Sequence, residues 1–306
     1  MKYTGSFKSL SGLVAKQPAF VPPPGVNATG EFVETAITDP VTLSAFTCFT
    51  FTGAGTLSFE ANTTVDYLIV AGGGAGGPSY QISGAGGGGG AGGLLTGSVV
   101  VSAGEYPITV GAGGLKYPTR QNTSIEAGRP GEDSSFYTFT AVGGGGGGRS
   151  GATAADISGG SGGGNQSATN PPPTTRVVGQ GNVGGRGSTA AGGGGGSGSV
   201  GGIGGSTGGT GGSGLELGID GTNKFYAAGG AGGRDGSFGP AGEGGIGGSG
   251  IGGNGAFNNY NATEPTANTG SGGGGGSRNT VSNSDTSRAI PSSGADGIVI
   301  VRYKPA

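Results

Sequence analysis

Apolar residues are sparse along this chain, and where they cluster they run straight into glycine. In the stretch 66–77, DYLIVAGGGAGG, Val65, Tyr67, Ile69 and Ala71 alternate with Asp66, Leu68 and Val70. Both faces are therefore largely apolar, which predicts a central strand covered on each side. The same join returns at 137–148, YTFTAVGGGGGG, and at 224–233, KFYAAGGAGG. The closing GIVIVRY, 297–303, is also apolar on both faces and must be covered. It is expected to return to the first sheet and tie the end of the chain to its beginning. FTCFTFT (46–52), a turn at Gly53, Ala54 and Gly55, and a returning TLSFEA predict a hairpin with Phe49 and Phe51 on one face and Leu57 and Phe59 on the way back. A second hairpin is predicted over 98–111, SVVVSAGEYPITVG, with its turn at 102–105 and Tyr106, Ile108 and Val110 sharing a face. SSFYTFTAV adds one more strand.

Between these signals lie glycine blocks without an apolar lead: 86–93, 159–164, 192–196, 201–214, 242–255 and 272–276. With 83 glycines in 306 residues and 31% hydrophobic content, an ordinary core is out of reach. Such composition usually means disorder, yet strand and turn signals continue to the end of the chain. Collagen is excluded, because glycine keeps no strict G-X-Y period and there are only 16 prolines. The segments GGIGGSTGGTGG (201–212) and GGIGGSGIGG (244–253) instead approach a G-G-X repeat. A three-residue period is that of polyproline II, a threefold helix rising about 3.1 Å per residue. Such helices can pack side by side with the backbone of one satisfying the next. Ordering glycine costs on the order of 1–2 kcal/mol per residue or more, so only a cooperative bundle can stand. Ile203, Ile246 and Ile251 are expected to fill the seams, with Ser206, Thr207, Ser249 and Asn254 facing water.

The predicted fold is thus mainly β with a polyglycine-II bundle and essentially no α-helix. Residues 1–30, with Lys2, Lys8, Lys16 and a proline cluster at 22–24, read as an extended arm or attachment segment. Residues 31–142 form a small β-sandwich-like region with the first glycine runs, 143–296 the bundle with its loops, and 297–306 the closing strand. Because the runs must reverse, the segments between them become loops at the ends of the bundle: 78–83, 115–130, 165–176, 215–223, 257–269 and 278–291. These carry Tyr, Asn, Arg and Ser, the types that binding loops favour on a rigid platform. The binding candidates are Tyr117, Arg120, Gln121, Arg176, Asn258, Asn259, Tyr260 and Arg278.

Charge and chemistry narrow the function by exclusion. A formal net charge of -2, no histidine and no basic patch argue against nucleic acid. Neither a signal peptide nor a membrane span is expected. The lone Cys48 reads as a half-buried thiol. GGGGGGRS (143–150) fits a phosphate-loop spacing with Arg149 for lysine, but no helix pattern follows, and a match is close to inevitable in polyglycine. GGAGGRDG (229–236) has Arg234 where a calcium turn needs aspartate. Glu132 and Asp133 read as a solvated turn. No catalytic constellation, metal site or cofactor is expected, and an enzyme is not.

The order FTFTGAGTLSFEA, VDYLIVAGGGAGG, YPITVGAGG, repeated glycine blocks with variable inserts, and ADGIVIVRY resembles the glycine-rich domain of bacteriophage tail fibres and tail-tip adhesins, over roughly residues 46–303. That resemblance implies a layered polyglycine-II bundle whose end loops contact a receptor. The partner would be a bacterial surface glycan or an outer-membrane protein, residues 1–30 would join other virion or tail proteins, and the chain would reside on the virion. A long shaft is lacking, so a tip protein, a compact fibre and a surface decoration stay open, as does the choice between a monomer and a trimer. Alternatives from other classes are a purely structural virion component and an ice-binding protein. The latter needs a face of small regular residues, against which Arg120, Arg176 and Tyr260 argue.

Overall fold

The computed structural model describes residues 25–39, 44–79, 84–117, 127–149, 152–166, 176–235, 243–278 and 288–305. Its strands are Val26–Thr38 (β1), Ala45–Phe59 (β2), Thr63–Val70 (β3), Leu94–Val101 (β4), Gly104–Thr109 (β5), Ser134–Phe136 (β6), Phe139–Ala141 (β7), Leu215–Leu217 (β8), Lys224–Tyr226 (β9), Ser277–Arg278 (β10), Arg288–Ala289 (β11) and Ile298–Tyr303 (β12). One four-residue helix, Ala154–Ile157, stands among the described residues. The fold is mainly β, as the pattern predicts.

The main sheet is antiparallel, in the order β4-β3-β12-β2-β5-β6-β7, with β1 along the other side of β2. The first part of β2 pairs with β12 (Phe51 opposite Val299) and its last part with β5 (Leu57 opposite Tyr106). The sheet therefore folds over on itself through β2 and nearly closes. Phe49, Phe51, Leu57, Val65, Tyr67, Ile69, Ile108, Phe136, Val299 and Val301 fill the space between its two halves. Tyr67 and Phe139 stack across it with ring centroids 4.6 Å apart. The outer face carries a second cluster in which Cys48, Leu68, Val70, Ile298 and Ile300 meet Tyr226, with Leu217 and Ile219 packed against it. Both faces of β3 and β12 are thus covered, and β12 lies between β2 and β3. Burial pushes the Cys48 thiol up to about 11, with Asp220 adding to the shift. It raises the Tyr226 phenol as well.

Three local expectations are corrected. The 46–61 stretch is no hairpin: β2 continues through Gly53–Gly55 without reversing, and its partner is β1, whose first residues lie in the presumed arm. Gly53 to Gly55 bend the strand instead of reversing it. Gly30, at φ +100, faces Gly55 beside a bulge, and a Cβ there would lie 2.3 Å from the Ala54 carbonyl oxygen. The 98–111 stretch is not a hairpin either, since β4 pairs with β3 while β5 pairs with β2 and β6. The turn between them is a corner joining the two halves. SSFYTFTAV is two strands, reversed at Tyr137, whose φ is +56 and whose ring packs edge-on against Tyr106 at 5.5 Å.

The glycine runs form a bundle in which every third N–H goes to the same neighbour. In the run 71–77, Ala71, Gly74 and Gly77 donate to Gly93, Gly90 and Gly87; Gly72 and Ala75 to Glu132 and Arg129; and Gly73 and Gly76 to Ala295 and Ser292, all at 2.8–3.0 Å. Its carbonyls accept from Gly144 and Gly147, from Gly114, and from Gly273 and Gly276. Six neighbours thus surround one run, and its hydrogen bonds return to the same neighbour at every third residue, the period of a polyproline-II helix. The run 86–93 repeats the pattern with 270–276, 142–148, 192–195, 230–233, 71–77 and 161–164. Side chains are excluded there: a Cβ on Gly89 would lie 2.0 Å from the Gly74 carbonyl oxygen.

Glycine-poor runs complete the perimeter. Residues 129–132, 261–266 and 290–297, which the sequence pattern places wholly or in part in loops, hydrogen-bond into the array, as Thr263 does to Asn254 and Ser292 to Gly274. A perimeter run needs a bare edge only on its inner side. For the same reason Ile203 and Ile246 do not fill seams. Backbone already occupies the seams, and these side chains point outward, Ile203 at 75% exposure.

Candidate functional site

The bundle has two unlike ends. At one, the runs beginning at Ala71 and ending at Gly93 join β3 and β4 of the sheet. At the other, Gly77 with Gly276, Gly87 with Gly148, Gly86 with Gly233, and Ala256 with Arg234 lie at one level, and the chain turns there. This distal end is the candidate site.

Its best-defined projection is the turn from Phe257 to Tyr260. The two residues exchange backbone hydrogen bonds (2.9 and 3.2 Å), Asn258 adopts φ +49, and Asn259 is exposed. Asparagine tolerates the left-handed region, which is why it serves in this turn. Tyr260 is 77% exposed. The base of the turn is held by Arg234, whose guanidinium lies 5.4 Å over the Phe257 ring and whose N–H donates to Ala256. The Ser277 hydroxyl donates to the Arg234 carbonyl. Beside it, Asp235 accepts from the Gly84 N–H at 3.1 Å.

A second group of side chains at this end centres on Tyr117. Its ring is buried (8% exposed), with the exposed Arg129 guanidinium 4.9 Å above it. Lys116 forms an ion pair with Glu264, whose other oxygen accepts from the Ser293 N–H at 3.0 Å. Lys116 donates its own N–H to the Ser293 hydroxyl at 3.1 Å. This knot joins the runs 111–117, 261–266 and 290–297.

The predicted residues thus divide. Asn258, Asn259 and Tyr260 share one turn at the distal end, Tyr117 lies at the same end with its ring covered, and the backbone of Arg278 leaves that end in β10, paired with β11. Arg120 and Gln121 lie outside the described residues. Arg176 lies at the opposite end, bridged to Gly159 and donating to Asn182 Oδ1 at 3.1 Å. The 215–223 insert is also at the sheet end, where β8 and β9 bring Leu217 and Ile219 to the outer cluster.

In the sequence Arg149 and Arg234 stand out only through motif matches, and both are buried where glycine runs leave the bundle. Their common position, the first charge after a polyglycine block, is the signal that could have marked them. The phosphate-loop match itself fails on its donors. Gly143 to Gly148 give their N–H groups to the Asp133 carboxylate and to carbonyls of Gly72, Ser161, Asp156, Ala75 and Gly164, so none is left to cradle an anion. Among the described residues no group of three metal-ligating side chains occurs, and no helix is long and apolar enough to cross a membrane.

A family model described as a glycine-rich domain matches residues 50–304. The chain belongs to that family. No curated protein matches the sequence. The match to the glycine-rich domain begins within β2 and ends just after β12, so it takes in the near-closed sheet as well as the bundle. The two are one unit of this glycine-rich domain.

Proposed function

We propose that this protein is a bacteriophage virion component, a tail-fibre or tail-tip adhesin that reads the host surface with the distal end of its bundle. The observation that carries this reading is polarity. The sheet, with β1 as its edge strand, closes one end of the bundle, and the Phe257–Tyr260 turn, with Tyr260 exposed, projects from the opposite end. A rigid array with a holding end and a presenting end suits adhesion by weak contacts multiplied over many copies on a particle. The partner chemistry is a bacterial surface glycan or an outer-membrane protein, and no chemical step is assigned to the protein.

The test is binding of the purified chain to a panel of bacterial strains, beside a variant with 118–126 and 258–259 replaced by short Gly-Ser turns. Strain-specific binding that the variant loses supports the reading. Absence of binding by a folded chain to every strain overturns it in favour of a structural virion component.

A second reading rests on one flank of the bundle. The adjacent runs 200–206, 207–213 and 243–249 expose Val200, Ile203, Thr207, Thr210, Glu243 and Ile246 at every third position. Regular spacing is one part of what an ice-binding face requires, although Val200, Ile203, Ile246 and Glu243 are not small, and a thermal-hysteresis measurement decides it.

A further inference from the structure

β1 is an edge strand. From Val26 to Thr38 one of its edges is hydrogen-bonded to β2, and among the described residues no backbone group on its other edge has a partner. Long open edges invite strand addition, and proteins usually blunt them with lysine, proline, a bulge or brevity. Here a bulge lies at Gly30/Phe32, but beyond it Phe32 to Thr38 runs in regular register, without lysine or proline, opposite Phe51 to Ala45. Glu34 lies opposite Phe49, whose own partner is Val301, so it shares the inward face, and its Oε1 is buried. The other face carries Val33 (62% exposed), the exposed Thr35, and Ile37, which is half-buried against the outer cluster.

We propose that a second copy of this chain docks on that edge, the two β1 strands pairing antiparallel about a twofold axis at Thr35. The side-chain pattern selects this register. Thr35 meets its own counterpart, Val33 meets the partner's Ile37, and Glu34 meets the partner's Ala36. The outer face then pairs β-branched residues with one another, the kind of cross-strand contact that stabilises sheets. An axis at Glu34 places two carboxylates opposite each other, and an axis at Val33 sets each Glu34 against Phe32. An axis at Ala36 sets Val33 against Asp39, beyond the strand. Of these four the Thr35 register avoids both clashes and pairs all of Phe32 to Thr38, with the inward face continuous across the pair. The contact is isologous and closes on itself, so it ends at two copies. Main-chain hydrogen bonds supply the affinity, as in other strand-addition complexes.

The test uses the full chain. Sedimentation equilibrium is expected to show a dimer, and Val33→Lys, which sets a charge against the partner's Ile37, is expected to raise its dissociation constant by about tenfold or more. In a Cys48→Ala background, which removes the thiol opposite Thr35 on β2, Thr35→Cys is expected to form a disulfide-linked dimer under mild oxidation, whereas Val178→Cys, at an exposed site away from β1, is not. Circular dichroism identical to the parent confirms that each variant is folded. A wild-type chain that stays monomeric up to high micromolar concentration overturns the proposal, as does cross-linking of Thr35→Cys no faster than that of Val178→Cys. A dimer that survives Val33→Lys but is lost on removing residues 1–24 also overturns it, and assigns the contact to that segment. None of these results depends on host binding, so the adhesin reading stands or falls separately.

Discussion

Arg302 and Asp66, 236 positions apart in the chain, meet with Nε 3.0 Å from Oδ2. The guanidinium also lies 3.7 Å from Asp39 Oδ2 and 4.5 Å over the Phe46 ring. One side chain thus fastens the closing strand to β3, to the residue just after β1 and to the start of β2. Arg302→Ala is expected to lower unfolding free energy by about 1–2 kcal/mol, since the ion pair is only partly screened and a stacked aromatic contact goes with it. A double-mutant cycle with Asp66→Asn checks this; the coupling should account for about half of the loss and shrink in high salt.

Glycines in the bundle are not equivalent. Gly89→Ala drives a methyl into the Gly74 carbonyl at a position enclosed on every side, and is expected to cost about 3 kcal/mol or more. Gly205 has open space around its Cβ direction, so Gly205→Ala is expected to stabilise by about 0.5 kcal/mol through the unfolded chain. Urea titration of the two variants should shift the midpoint in opposite directions.

Cys48 makes stability fall at alkaline pH. Its thiol ionises near 9.0 when unfolded and at about 11 in the fold, so between those values the unfolded chain has lost a proton that the native one keeps. Stability is therefore full below pH 9 and declines as pH rises toward 11, by on the order of 2–3 kcal/mol. Tyr226 acts in the same direction at higher pH. Melting temperature measured from pH 8 to 11 should drop, and Cys48→Ala should flatten the lower part of that slope. At pH 8 the native thiol should resist Ellman's reagent until the protein unfolds.

Tyr260 and Arg234 separate display from support. Tyr260→Ala removes a solvent-facing ring and is expected to change stability by less than about 0.5 kcal/mol while reducing adhesion to any strain the protein binds. Arg234→Ala leaves a void over Phe257 at the base of the turn and is expected to cost about 2–3 kcal/mol. Equal loss of stability in the two variants would contradict this assignment.

The sheet's centre could be read from the chain because its residues are apolar on both faces. Val65 to Ala71 and Ile298 to Tyr303 admit no arrangement but a covered strand, and the structure covers them from both sides. What misled were residues whose local meaning depends on a distant partner. Gly53 to Gly55 can turn a chain or bend it, and only β1 lying alongside decides which. Ile203 resembles a seam residue until the neighbouring backbones are seen to occupy the seam. The candidate site divides in the same way. Exposure of Tyr260 follows from an Asn-Asn turn between two runs, but Tyr117 is covered by Arg129, which an intervening insert separates from it. Arg176 lies at the far end because the end at which an insert emerges depends on how many times the chain has already reversed. Composition does not record that number.

The three-residue hydrogen-bond period restricts how such a protein can change over generations. Each residue along a run advances the backbone by about a third of a turn. Adding or removing one residue inside a run therefore rotates every later position onto a different neighbour, turning bare edges into obstructed ones. Three residues lengthen the run and leave its facing intact. Inserts at the turns carry no such rule. A lineage built on this array can exchange whole turns as cassettes, whereas its runs can be edited only in triplets, a reading frame written in the backbone.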